Sequence, residues 1–303
     1  MLGLVAILNC MPAKTHAAGL LTLLHFSHDS GSGGETFQGN AIRDEEVWTF
    51  NPSLADGSEI TGPFVGPDVL NGTTDDIDAF TISGGKYYFS VQNGTAVTVE
   101  DGATDLATNR SMIIEYDPNA ALGSRASVFY DPNDDTATSN PQTDAVSFHS
   151  DGNLLLSFDA DLTFGGIAVE DGDVVKFDPA DVSGTISVFF DEDNFQLLGG
   201  DDNEDIVGFE FVREDIMYIL TGSNASLNGA TNFDDNDIVR WNSLTSTAFV
   251  ELESETHFDS STGDFKLNAI YAVPEPRTYA ILAGLGLLVW GVWRRYQPRL
   301  RAA

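Results

Sequence analysis

The chain has 303 residues, 42% hydrophobic and 11% aromatic, enough apolar material for a packed core and too much for a disordered chain. Its net charge is −33, and the excess is concentrated. Between Gly19 and Val273 stand eight basic residues against 46 acidic ones, a local charge of −38. Such a surface repels phosphate backbones and anionic headgroups, which excludes a nucleic-acid partner, and it gathers cations.

The chain opens on a short apolar run, Met1–Leu8, and Thr15-His16-Ala17-Ala18 offers small residues for a signal peptidase. Residues 1–18 therefore read as a signal peptide, although the positive n-region is missing. The one cysteine, Cys10, lies inside this leader, so residues 19–273 have neither disulfides nor thiol chemistry. Asn9 occupies a position where a lipoprotein signal needs a small residue, so lipidation of Cys10 is not expected.

Residues 19–273 form an acidic β-repeat ectodomain. Trp48-Thr49-Phe50-Asn51-Pro52, Glu115-Tyr116-Asp117-Pro118, Lys176-Phe177-Asp178-Pro179 and Arg240-Trp241-Asn242-Ser243 each end an apolar strand on an aromatic residue followed by Asn or Asp. Phe50, Tyr116, Phe177 and Trp241 are 66, 61 and 64 residues apart, a regular period. The third copy shows four strand-like runs: Ala145–Phe148, Leu154–Phe158, Val174–Phe177 and Thr185–Phe190. Asp151-Gly152 and Gly165-Gly166 punctuate it as turns.

The ends of the array are informative. Leu20–Ser27 matches the second strand of a repeat, so the first copy lacks its opening strand. First-type strands stand at Ile77–Ile82, Ala145–Phe148 and Ile206–Phe211, and a spare one recurs at Phe265–Val273. Pairing the spare strand into the first unit uses both leftovers and hides two sheet edges. The expected fold is all-β: a four-fold repeat forming a propeller-like closed array of four-stranded units, with an open β-solenoid or sandwich as the alternative.

Acidic clusters precede the marker strand in three copies: Asp44-Glu45-Glu46, Glu170-Asp171-Gly172-Asp173 and Asp234-Asp235-Asn236-Asp237. Ca²⁺ takes hard oxygen ligands, and alternating acids beside backbone carbonyls supply several. Asp171, Asp173, Asp234, Asp235 and Asp237 are therefore candidate Ca²⁺ ligands. The same pattern also suits turns whose acids cap their own backbone amides. His25 and His28, beside Asp29, are a weaker metal candidate, because alternation sends i and i+3 to opposite faces of a strand. Trp48 and Trp241 could stack on sugars, but their marker positions point to core. No catalytic motif is present, so an enzyme is not expected.

After Val273-Pro274-Glu275-Pro276 comes an uncharged stretch, Tyr279–Trp293, and then Arg294-Arg295, Arg299 and Arg301. As a helix the stretch spans about 22 Å, at about 1.5 Å per residue, which is short for a membrane core of roughly 30 Å. Trp290, Trp293 and Tyr296 suit an interfacial belt, and the arginines suit the cytoplasmic side, leaving the acidic domain outside. Residues 274–303 thus read as a sorting tail with a transmembrane helix at 279–293.

Pro274, Glu275 and Pro276, the short apolar helix, and Arg294 and Arg295 together resemble the PEP-CTERM sorting signal. That resemblance is confined to the last thirty residues. It implies a Gram-negative bacterium that makes extracellular polysaccharide, an exosortase-type enzyme that reads Pro274-Glu275-Pro276, and a membrane-held precursor released to the cell surface or matrix. The carried domain varies in such proteins, so the tail implies an address and no activity. Two readings follow for the ectodomain: a non-enzymatic surface or matrix protein, or a secreted glycan-binding or glycan-active protein with an acidic, Ca²⁺-dependent site.

Overall fold

The computed structural model describes residues 21–28, 35–38, 40–43, 46–52, 54, 58–65, 76–92, 97–98, 105–106, 108–136, 140–197, 205–227, 231–235, 237–253, 259–260, 263–264 and 266–274. Four four-stranded antiparallel sheets form a four-bladed β-propeller. From inner to outer strand, blade 1 is Leu267–Pro274, Leu21–His28, Val47–Phe50 and Ile60–Val65. Blade 2 is Ile77–Ser83, Lys86–Val91, Ile113–Tyr116 and Ala126–Tyr130. Blade 3 is Thr143–Phe148, Leu154–Phe158, Val174–Phe177 and Ser187–Phe190. Blade 4 is Ile206–Arg213, Ile216–Thr221, Ile238–Asn242 and Thr247–Leu252.

The closure expected from the leftover strands is present. Leu267–Pro274 lies antiparallel to Leu21–His28, with Ile270 opposite Phe26 and Pro274 opposite Leu21. Blade 1 therefore takes one strand from the end of the ectodomain and three from its beginning. The inner strands of successive blades pack side by side around an axis.

The marker strands are buried because they run through the middle of each sheet, covered on both faces. Phe50, Tyr116, Phe177, Trp48 and Trp241 are all core. The core itself is divided into wedges between neighbouring blades. Phe26 and Phe50 of blade 1 pack with Tyr218 and Leu220 of blade 4. Leu155 and Phe190 of blade 3 meet Phe209 and Trp241 of blade 4. Tyr88 of blade 2 packs with Leu156 and Phe177 of blade 3.

Two local readings are corrected. The outer strand of blade 3 starts at Ser187, because Val182–Thr185 makes a helical turn in which the Thr185 hydroxyl donates to Asp181 O at 2.6 Å and accepts from Asp178 N at 2.8 Å. The segments between second and third strands carry short hairpins of their own, such as Leu162–Phe164 with Ile167–Val169. The turn at Gly165-Gly166 closes that hairpin, with φ of 56° and 94°, values that favour glycine.

Small residues let the inner strands converge. Ala79, Ala145, Gly208 and Ala269 occupy equivalent registers, and a Cβ on Gly208 would sit 3.2 Å from Leu220 Cβ and 3.3 Å from Ile270 Cγ1. The closing strand buries Leu267, Ala269, Ile270 and Ala272. Its two large side chains alone contribute roughly 3–6 kcal/mol, comparable to the 5–15 kcal/mol that holds a typical domain together. Truncation after Pro274 should leave a cooperative urea transition, whereas truncation after Lys266 should abolish it; circular dichroism during denaturation distinguishes the two.

Candidate functional site

Each inner strand carries a β-bulge at the same place, which leaves Asp78, Asp144, Val207 and Asn268 out of regular pairing. Bulges re-aim side chains, and here they do so where the inner strands enter the ring. Asp78 and Asp144 are buried. The Gln142 amide donates to Asp78 Oδ2 at 2.8 Å, tying blade 3 to blade 2. Burial, and then the charges of Asp205, Asp78 and Asp159, push the Asp144 carboxyl well above the usual range, against the opposing Gln142 hydrogen bond. Arg110 stands beside Asp159, its Nη1 3.7 Å from Oδ2, and its Nε donates to Asn140 O at 2.8 Å.

Three residues further along each inner strand lies a second tier: Thr81, Ser147, Glu210 and Tyr271 share one register. Glu210 fills the centre. Its Oε2 accepts from Thr81 Oγ1 of the opposite blade at 3.3 Å and from Ser147 Oγ of the adjacent blade at 3.1 Å. Ser147 Oγ in turn accepts from Phe211 N at 3.1 Å. Complete burial drives the Glu210 carboxyl well above its ordinary value, although both hydroxyls oppose the shift. The axis therefore holds a buried acid with a raised affinity for its proton at the middle, and a cluster of carboxyls at its mouth.

The acidic turns before the marker strands lie elsewhere, away from the axis. Asp173 Oδ2 accepts from Glu170 N at 3.1 Å and Asp173 Oδ1 from Glu192 N at 2.9 Å. Asp237 Oδ2 accepts from Asp234 N at 3.1 Å, and Glu46 Oε2 from Arg43 N at 3.2 Å. These are backbone caps of the kind acids supply in turns. Asp171 N donates to Asp161 Oδ1 at 3.3 Å, and Asp235 N to Asn224 Oδ1 at 2.8 Å. Asp234 and Asp237 also line a cavity of about 340 Å³ with Asn232, Phe233, Val250 and Glu253. The structure thus brings Asp171 and Asp173 together in blade 3, and Asp234, Asp235 and Asp237 together in blade 4. Among the described residues no group of three His, Cys, Asp or Glu side chains is arranged to hold a metal ion.

In blade 3 the cluster has a further member. Burial, followed by hydrogen bonds with Glu170 and Asp171, pushes Glu192 up to about 8, while Gly172 N opposes the shift. In blade 2 the corresponding place holds Asn109, which accepts from Ser111, and Asn133, whose Nδ2 donates to Ser111 Oγ at 2.8 Å, beside the Asp131 carboxylate, which accepts from Ser111 Oγ at 3.2 Å. Of the other candidates, His25 is packed against Phe64, with ring centroids 3.9 Å apart, and its Nδ1 lies 3.0 Å from Thr49 Oγ1. Burial lowers His25 to about 4. His28 is buried, and Asp29 lies outside the described residues.

Pro274 is the last residue of the closing strand. Glu275, Pro276, Arg294 and Arg295 lie outside the described residues, as do the leader and the apolar stretch 279–293. Among the described residues no helix is long and apolar enough to cross a membrane.

The shifted groups give signs for pH dependence. Glu192 binds its proton more tightly folded than unfolded, so its contribution is complete below about 4.5 and lost as pH rises through about 8. His25 acts oppositely: its contribution is complete above about 6.5 and lost as pH falls towards about 4. Glu210→Gln keeps an acceptor for both hydroxyls and removes the ionisable group. It should raise stability at pH 8 by on the order of 1–3 kcal/mol and flatten the alkaline loss, as read by urea denaturation from pH 5 to pH 9. Asp237→Ala removes a turn cap and should cost on the order of 1 kcal/mol with or without EDTA. A cost that appears only without the chelator would instead mark Asp237 as a metal ligand.

No family model and no curated protein matches the chain. Solved structures with some likeness include YCF48 bound to D1 peptide, at 11% identity and a TM-score of 0.29, covering 66% of this chain. This chain spans 56% of the length of that one. A protein of unknown function from Bacteroides caccae is 10% identical over 84% of this chain and 100% of its own, with a TM-score of 0.36. Hemopexin fold protein CP4 from cow pea is 12% identical over 88% and 98%, with a TM-score of 0.35. Likenesses this distant carry no argument about activity, and the four-bladed arrangement rests on the sheet order and registers of this chain itself.

Proposed function

We propose that this chain is an exported, non-enzymatic propeller delivered to the cell surface or extracellular matrix of an exopolysaccharide-producing Gram-negative bacterium. Its C-terminal tail is the sorting device. The stretch Tyr279–Trp293 is a short transmembrane hold, Arg294 and Arg295 stay cytoplasmic, and an exosortase-type enzyme recognises Pro274-Glu275-Pro276. The observation that carries this reading is the order of those parts in the last thirty residues.

The fold is compatible with removal of the tail. Among the described residues the last buried side chain of the closing strand is Ala272, and the strand itself ends at Pro274. Leu21 pairs with Pro274, so the chain leaves the ring for its leader and for its tail at one edge of blade 1. The ectodomain's charge keeps such a domain soluble and apart from anionic surfaces.

Replacing Pro274, Glu275 and Pro276 together by Ala in the producing organism should leave a full-length precursor in the membrane fraction, with loss of the processed surface form on immunoblots. Normal processing of this variant would refute the sorting role.

A second reading, a glycan-binding or glycan-active protein with an acidic, Ca²⁺-dependent site, has one observation in its favour. Asp78, Asp144 and Gln142 converge at the mouth of the axis, where a polyhydroxylated ligand would find acceptors and a donor. The first reading also admits extracellular polysaccharide as a partner, so glycan-array binding by residues 19–274, with and without Ca²⁺, separates the two: only the second predicts a signal that Ca²⁺ removal abolishes.

A further inference from the structure

Among the described residues the exposed large apolar side chains fall into two classes. Phe64, Val128, Val188 and Phe249 stand on the outer strands of the four blades, where a sheet edge meets solvent. The others are leucines in loops: Leu54, Leu122 and Leu244, which are 43%, 69% and 80% exposed. Each sits in the connection between the third and fourth strands of its blade.

These leucines lie at one end of the propeller. Strands alternate in direction within a blade, so the connection of third to fourth strand shares an end with the turn between first and second. In blade 4 the two touch: Ser243 N donates to Asp215 O at 3.3 Å and Ser243 Oγ to Glu214 O at 2.9 Å. The same ends of neighbouring blades meet, since Ser150 of the blade 3 turn donates to Glu214 of the blade 4 turn at 2.7 Å. In blade 1 this end holds Pro274 opposite Leu21, where the closing strand runs out towards the tail. The leucines belong to blade 1 and its two neighbours, blades 2 and 4. Blade 3, across the axis from that exit, has the helical turn Val182–Thr185 in the equivalent place and buries Val182.

Charge is divided along the same axis. At the leucine end Lys86 pairs with Glu115 at 2.6 Å, Lys176 with Asp151 at 2.6 Å and Arg213 with Asp215 at 2.8 Å. The opposite end carries the carboxyls of the axial mouth and the acidic turns, with Asp191 and Asp193 beside them. A neutral lipid surface is therefore approached at least electrostatic cost from the leucine end.

The tether limits the distance. Residues 275–278 alone separate Pro274 from the apolar stretch that starts at Tyr279. Fully extended, the chain from Pro274 to Tyr279 reaches about 17 Å, at roughly 3.3–3.6 Å per residue. The exit end of blade 1 thus stays within that reach of the bilayer while the stretch is inserted. We propose that in the membrane-held precursor the leucine end docks on the lipid surface, with Leu54, Leu122 and Leu244 entering the interface and the acidic mouth facing away. This rests on the reading of the tail as a transmembrane hold. The loops are already ordered for the contact, because Leu54 N donates to Asn51 O at 3.1 Å and Leu244 N to Asn242 Oδ1 at 3.1 Å. Apolar burial drives the insertion, and the tether makes it intramolecular, so three weak contacts act together.

The test uses the full chain with Cys10→Ser, reconstituted in phosphatidylcholine–phosphatidylethanolamine vesicles. Leu54→Cys, Leu122→Cys, Leu244→Cys or, at the opposite end, Asp193→Cys carries an environment-sensitive dye on the single thiol. All four positions are exposed, so the core is untouched. Doxyl groups on the lipids should quench the dye at the three leucine positions severalfold more than at Asp193. Flotation with the vesicles but quenching no greater at the leucines than at Asp193 overturns the docking and leaves the tail reading standing. Absence of flotation overturns the tail reading and the docking with it.

Discussion

The structure depends on one pairing, that of Leu267–Pro274 with Leu21–His28. Without it blade 1 has no inner strand, blades 2 and 4 each lose a neighbour, and two sheet edges stand open to other chains. Bringing the two ends of the ectodomain together costs little extra for its length, because loop-closure entropy grows only logarithmically. The gain is that every wedge of core has two walls. Ile270 and Ala272 in the closing strand join the wedge that contains Phe26 and Tyr218. Ala269 joins another, with Phe80 and Phe89 of blade 2.

Closure with only four blades leaves a narrow axis, and this determines what can occupy it. Alanine or glycine stands at the point of closest approach in all four inner strands, so the strands pack with little room for a channel. Glu210 takes the centre because Thr81 and Ser147 supply hydroxyls from two other blades. A buried carboxylate is expensive there, and burial raises the Glu210 carboxyl well above its ordinary value.

Much of the fold was legible in the sequence because the marker strands are central in their sheets. A central strand buries most of its side chains, so Val174–Phe177 and its counterparts stand out as apolar runs with one half-buried polar residue, and their spacing gives the blade count. The unpaired first-type strand at the C-terminal end gave the closure. The axial acid was not legible. Glu210 sits in Gly208-Phe209-Glu210-Phe211, where alternation makes it an ordinary outward-facing residue. Its burial comes from strands more than 60 residues away. The hairpins between second and third strands escaped notice because runs of three residues carry too little periodicity to separate from loop.

The acidic clusters show how one sequence pattern supports two chemistries, and the turn they occupy recurs around the repeat. The turn before the marker strand is the same in all four blades. Glu46 N donates to Arg43 O at 3.1 Å, Met112 N to Asn109 O at 3.2 Å, Asp173 N to Glu170 O at 3.0 Å, and Asp237 N to Asp234 O at 3.1 Å. Blade 2 makes this turn with Asn109 and Ser111 in place of carboxylates, and the Asn109 side chain accepts from Ser111 N at 2.9 Å and Met112 N at 3.1 Å. A bound cation demands oxygens of sufficient charge at every copy it stabilises, whereas a backbone cap demands only an acceptor of the right reach. Blade 2 meets the second demand with the Asn109 side chain. What the repeat preserves is the turn, and the carboxylates serve it by accepting backbone N–H groups.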